Sequence, residues 1–167
     1  MEMENVSKIN LQDINEVMCL IKEAISEMEN NEISQWDDVY PNYKIVFDDI
    51  DTEAMFGIYK NLELAGIVVL DKNQSPEYSS VEWELNNDSP LVMHRLCVRP
   101  KFQGQGIAKQ LLKFSEQFAN NNSYTSIRLD AFSGNPSALN LYENNGYLKR
   151  GTVTFRKGDF YCYEKTL

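Results

Sequence analysis

Residues 91–108 read Leu91-Val92-Met93-His94-Arg95-Leu96-Cys97-Val98-Arg99-Pro100-Lys101-Phe102-Gln103-Gly104-Gln105-Gly106-Ile107-Ala108, and three elements follow one another within them. As far as Val98 the run is apolar on both faces, as a central strand covered on each side should be. Arg99-Pro100 then stops it, because proline cannot donate to a ladder. Two glycines follow, and from Ile107 the positions Ile107, Leu111, Phe114, Ser115 and Phe118 predict a helix to about residue 121.

Downstream, Ile127, Leu129 and Ala131 alternate as a strand, which completes a β-loop-α-β unit and predicts that its two strands are parallel neighbours. Asn135-Pro136 offers an N-cap residue followed by proline at the first helical position, and Gly146 stands where a left-handed C-terminal cap belongs. These signals bound a helix over 136–144. The tail, Tyr147 to Thr154 and Phe160 to Lys165, is predicted as a hairpin around Lys157-Gly158-Asp159.

Upstream, Leu11, Ile14, Val17, Met18, Ile21 and Ile25 recur at helical spacing and predict an amphipathic helix over 11–29, after a short strand from Val6 to Ile9. A second helix is expected from Tyr43 to Asp51. Strands are expected at 55–60 and 64–70 with Asn61-Leu62-Glu63 as their turn, and another at 78–85 after the Ser75-Pro76 break, so the sheet is antiparallel at this end. Between the first two helices the polar segment Ser34 to Pro41 carries Trp36 and Tyr40.

At 167 residues the chain is expected to form one domain, 1–167. The longest apolar run, Leu64 to Leu70, is far below the ~20 residues that cross a bilayer. The start, Met1-Glu2-Met3-Glu4, is acidic where an export signal is basic. Three widely spaced cysteines, Cys19, Cys97 and Cys162, fit neither a disulfide framework nor a metal cluster, so a cytoplasmic protein without a metal is expected. With a net charge of −9 and no basic cluster, nucleic acid is not an expected partner. That acidity serves solubility, or draws a cationic amine.

The segment Gln103-Gly104-Gln105-Gly106-Ile107-Ala108 joins a buried strand to the first turn of a helix, where main-chain N–H groups lack partners and the dipole favours an anion. It is not a dinucleotide fingerprint, since Lys109 stands where a third glycine is required, and no Gly-Lys-Ser/Thr makes it a P-loop. It resembles the Gln/Arg-x-x-Gly-x-Gly/Ala signature of the GNAT superfamily of N-acetyltransferases, with Gln103, Gly106 and Ala108 at the three specified positions. Asn135 to Tyr147 resembles the second signature of that family, Asn-x-x-Ala-x-x-x-Tyr-x-x-x-Gly-Phe/Tyr. Gln35-Trp36, Tyr40-Pro41 and His94 to Val98 are similar to a bacterial branch, so the likeness runs from about residue 6 to the C-terminus.

The resemblance implies an α/β fold of three layers: a mixed, mostly antiparallel central sheet splayed after its fourth strand, with helices on both faces. It implies acetyl-CoA in the gap, its pantetheine on the main chain of Leu96, Cys97 and Val98. The diphosphate would rest on the loop Gln103, Gly104, Gln105, Gly106, Ile107, Ala108 and Lys109, and Asn135 would also touch the cofactor. A homodimer is the expected assembly on the same grounds. The activity implied is direct transfer of an acetyl group from acetyl-CoA to a primary amine in a ternary complex. Two other readings stand beside it: a sensor of the same fold that binds acyl-CoA without turnover, and an interaction module with no CoA site.

Thioester aminolysis sets its own requirements. Charge building on the carbonyl oxygen calls for a fixed N–H, for which Cys97 or Val98 is placed, and the departing thiolate, of thiol pKa ~8.5, calls for a proton donor. Tyr142 holds the donor position by resemblance, although it also lies on the apolar side of its helix with Ala138 and Leu139. Asn135 is likewise explained as an N-cap alone. Glu82 and Glu84 are candidates for taking the proton of the amine, or form a plain exposed strand face. His94, sharing a strand side with Val92 and Leu96, reads as a satisfied buried histidine rather than a base. Trp36 and Tyr40 line an acceptor pocket, or plug the space between two helices. No base partner is visible for Cys97 as a nucleophile.

Overall fold

The computed structural model describes residues 5–86 and 89–167. In chain order the elements are β1 (Val6–Lys8), α1 (Ile14–Asn30), α2 (Tyr43–Asp51), β2 (Met55–Lys60), β3 (Glu63–Asp71), β4 (Leu91–Val98), α3 (Ile107–Asn121), β5 (Ser126–Phe132), α4 (Pro136–Asn144), β6 (Leu148–Phe155) and β7 (Gly158–Thr166). The strands form one mixed sheet in the order β1-β2-β3-β4-β5-β7-β6. Its one parallel pairing among the described residues is β4 with β5, and that ladder has only two rungs, Leu91 with Ile127 and Val92 with Arg128. Both strands run on past these two rungs. Among the described residues no helix is long and apolar enough to cross a membrane.

The chain divides into two compact units, Met1–Leu70 with Arg95–Ser115, and Asp71–His94 with Glu116–Leu167. In the first unit, α1 turns Val17, Leu20, Ile21 and Ala24 inward and α2 turns Val46 and Ile50 inward, against Met55, Leu64, Ile67 and Val69 of β2 and β3. Each such buried aliphatic is worth roughly 1.5–3 kcal/mol. Neighbouring residues on a strand face opposite ways. Met55 therefore joins that core, while Phe56 meets Phe114 of α3 with ring centroids 5.0 Å apart, so helices cover both faces of the β2-β3 ladder. The helix expected over 11–29 begins as a 3-10 turn, Leu11–Asp13, before α1 proper.

In the second unit β7 pairs antiparallel with both β5 and β6. The hairpin is tighter than expected: Phe155 pairs with Gly158, so Arg156-Lys157 is the whole turn and Gly158 already belongs to β7. The strand expected over 78–85 is not formed. Pro76–Ser80 is a 3-10 helix, in which the hydroxyls of Ser79 and Ser80 donate to the carbonyls of Pro76 and Glu77. Tyr78, Val81 and Trp83 are buried together in a core with Val92, Val153 and Cys162, at spacings of three and two that a loop allows and one strand face does not. Local side-chain bonding competes here with strand formation.

Candidate active site

Gly104 and Gly106 have φ of +76° and +81°, the left-handed region that glycine enters without penalty. A Cβ built on either would meet nothing within 4 Å, so the loop presents bare backbone outward. The first ladder bond of α3 runs from the Gln110 amide to the Gly106 carbonyl, 3.0 Å. The amides of Ile107, Ala108 and Lys109 precede it and form the donor end of the helix dipole. Gln103, Gly104, Gln105, Gly106 and Lys109 are exposed, Ile107 is buried as the anchor of the turn, and the Lys60 ammonium donates to Gln105 Oε1. Such a loop is chemically suited to hold an anionic phosphate.

β4 leads into this loop, and Arg95 in its middle has φ of +50°. A non-glycine residue there is strained by roughly 1–3 kcal/mol unless its surroundings hold it. Here they do: Arg95 Nε donates to Asp49 Oδ2 at 2.7 Å and Nη2 to Oδ1 at 2.6 Å, while Nη1 donates to the Tyr40 hydroxyl at 2.9 Å. Both charged side chains are 11 % exposed. Sequence reading missed this cluster, although a signal existed in Asp49, which follows Val46 by three residues on the apolar stripe of α2 and so needs a buried partner. Tyr40 is 37 % exposed, whereas Trp36 is 6 % exposed within the α1-α2 core. Leu96 and Val98 are half-buried and Cys97 is buried. Burial pushes the Cys97 thiol up to about 12, which leaves it no thiolate for nucleophilic work.

In the second unit Asn135 caps α4, its side chain accepting from the Ala138 amide at 3.3 Å. Tyr142, two turns on, is 7 % exposed and its ring lies 5.8 Å from that of Tyr147 and 6.0 Å from that of Tyr163. Among the described residues no hydrogen bond engages its hydroxyl. The other two phenols are committed, Tyr147 to Glu116 at 3.3 Å and Tyr163 to Glu143 at 2.8 Å. Burial first, and the charge of Asp130 second, raise the pKa of Tyr142 above the usual phenol value. It is therefore a donor, not a base, through the neutral range.

Glu82 and Glu84 share no strand face, because residues 81–86 are a loop. Its anchor is Glu164 of β7, a fully buried carboxylate that accepts from the Glu84 amide at 2.8 Å and the Leu85 amide at 3.4 Å. Arg150 bridges the two carboxylates, Nε to Glu164 at 3.2 Å and Nη2 to Glu84 at 2.5 Å. The Arg128 guanidinium stacks on Trp83 at 4.3 Å and donates to the Leu85 carbonyl at 2.6 Å. Glu82 is exposed and Trp83 buried, its indole donating to the Tyr78 carbonyl at 3.0 Å. His94 Nε2 lies 2.8 Å from Asp71 Oδ1, a paired and mostly buried imidazole.

Residues 21–147 match the family model described as acetyltransferase (GNAT) family. An uncharacterized N-acetyltransferase, YesJ of Bacillus subtilis (strain 168), is 24% identical over 139 residues, covering 81% of this chain and 77% of that protein. Among solved structures, a GNAT family acetyltransferase from Streptococcus agalactiae 2603 superposes with a TM-score of 0.86 at 23% identity, over 98% of this chain and 95% of the other. The PaiA N-acetyltransferase from Thermoplasma acidophilum, in complex with coenzyme A, superposes with a TM-score of 0.72 at 16% identity, over 100% of both chains.

Proposed function

Because this chain belongs to the GNAT family of acetyltransferases, we propose that it moves an acetyl group from acetyl-CoA to a primary amine by direct attack, residues 1–167 acting as one catalytic domain. The observation that carries the reading is the loop from Gln103 to Lys109, two left-handed glycines opening onto the free amides of α3. Those amides would hold the diphosphate, and the main chain of Leu96, Cys97 and Val98 the pantetheine. Coenzyme A bound to the Thermoplasma protein of the same fold supports the choice of donor.

In the proposed reaction the neutral amine nitrogen attacks the thioester carbon and a backbone N–H of Cys97 or Val98 stabilises the oxyanion. As the C–S bond breaks, the free phenol of Tyr142 hydrogen-bonds or protonates the departing sulfur. The surplus proton of the amine leaves through water or the exposed Glu82, since Arg150 engages the Glu84 carboxylate, and where Tyr142 has given its proton to the sulfur, water returns one to the phenol. Tyr40 would line the acceptor side with Trp36 buttressing its segment from the core, and Asn135 would add a cofactor contact to its capping role. The cytoplasm is the compartment we assign, from the acidic chain and its unpaired cysteines.

Titration calorimetry with acetyl-CoA and with CoA tests the reading directly: micromolar affinity and a raised melting temperature are expected. Absence of both would refute it. A panel of primary amines, followed by release of the CoA thiol, then separates an enzyme from a silent acyl-CoA sensor, which would bind and never turn over.

A further inference from the structure

The backbone of Arg95 and the burial of Asp49 belong together. At φ of +50° Arg95 departs from extended geometry in the middle of β4, and such a residue redirects the peptide groups that follow it. Those groups are Leu96, Cys97 and Val98. Nothing in the intrinsic preference of arginine favours this conformation, so something else must impose it. The two parallel hydrogen bonds to Asp49 do so, and Asp49 is itself fixed on α2 beside the buried Val46 and Ile50. The third donor of the same guanidinium, at 2.9 Å from the Tyr40 hydroxyl, ties the segment before α2 to the same point of the strand.

We propose that Asp49 is a positioning residue for the acetyl donor: by forking Arg95 it holds the left-handed step in β4 that aims the main chain of Leu96 to Val98 at the pantetheine. This rests on the acetyl-CoA reading above. Asp49 touches neither donor nor acceptor; it acts through the backbone of Arg95.

The test is the affinity of the full chain for acetyl-CoA by calorimetry, with the melting temperature recorded for each variant. Asp49→Asn keeps the shape of the side chain and removes its charge and one acceptor, and the dissociation constant is expected to rise about tenfold or more. Adding Arg95→Gly to that variant is expected to restore affinity to within about threefold of the wild type, because glycine takes a positive φ without a clamp. The melting temperature of the double variant stays low, since the ion pair is gone. A purely structural ion pair would lower the melting temperature of both variants and leave the affinity of the folded protein at the wild-type value, and that result overturns the proposal. So does a double variant as weak as the single one, which would assign the effect to the Arg95 side chain instead of its backbone. If Asp49→Asn fails to fold, Arg95→Gly and Arg95→Ala are compared; glycine should bind at least about tenfold more tightly, and equal affinities refute the inference. No binding by the wild-type protein would fell the donor reading itself, before any variant is made, and this inference with it.

Discussion

Tyr142 carries two demands that usually conflict, a ring packed against Tyr147 and Tyr163 and a hydroxyl left without an internal partner. Packing explains the ring, whereas the hydroxyl is not among the fully buried unpartnered polar atoms and stays available to an outside partner. Tyr142→Phe separates the two. It removes no internal hydrogen bond, so stability should stay within about 0.5 kcal/mol of wild type, while kcat on a turned-over amine should fall ~10²-fold, the scale for losing a positioned acid. The KM for acetyl-CoA should hardly move, since the lost bond strengthens as the sulfur departs. Because burial and Asp130 raise its pKa, the phenol stays protonated well into the alkaline range, and any alkaline limb of the pH–rate profile should survive unchanged in shape in the variant. A variant with wild-type kcat at every pH would hand the role to water.

The helix α3 is held by two kinds of glycine, and they fail differently. At Gly66 of β3 a Cβ would sit 2.9 Å from Ile107 Cγ2, 3.0 Å from Leu111 Cδ1 and 3.2 Å from the Cys97 carbonyl, so the strand and helix approach too closely for any side chain. Gly66→Val should therefore cost about 1–3 kcal/mol of unfolding free energy, the usual penalty of overpacking. At Gly106 a Cβ meets nothing, and the position is open to the solvent side of the loop. Gly106→Val should leave a cooperatively folding protein, weakened by backbone strain alone, that no longer binds acetyl-CoA, since the new side chain occupies the approach of the phosphate. Urea denaturation and calorimetry on both variants check the contrast. Retained acetyl-CoA affinity in folded Gly106→Val would remove the loop from the cofactor site.

Across the whole molecule, several groups keep their protons to higher pH because the fold buries them. The phenols of Tyr142, Tyr147 and Tyr163 are raised above the usual value, burial being the first cause in each, and burial likewise pushes the Cys97 and Cys162 thiols up to about 12. A raised pKa means that the native state keeps a proton that the unfolded chain releases. The stability these groups add is complete below their unfolded-state values, ~8.5 for thiols and ~10 for phenols, and is lost as pH rises through the folded-state ones. The urea midpoint should hold level from pH ~7 to ~8 and then fall steadily to pH ~11, with the share of tyrosinate absorbance that belongs to the buried phenols appearing only at the unfolding transition. A level midpoint across that range would show that these groups are not protected by the fold.

By itself the sequence determined the elements and the signatures. Helix α2 and strand β2 lie where periodicity put them, and α4 lies between its Asn135-Pro136 start and Gly146, because caps, proline and hydrophobic spacing act over a few neighbouring residues. The glycine loop and its helix were legible for the same reason. Only the tertiary structure decided what joins residues distant in the chain. Asp49 and Arg95 are 46 residues apart and Glu84 and Glu164 are 80 apart, and neither pairing leaves a local trace beyond a charged residue on an apolar stripe. The stretch 78–85 misled for a related reason: apolar residues interleaved with polar ones look alike in sequence whether a ladder or a folded loop buries them, and only the partner of each backbone amide tells the two apart. Local chemistry writes the elements into a sequence, whereas the partner of a buried charge is chosen by which surfaces the fold brings together.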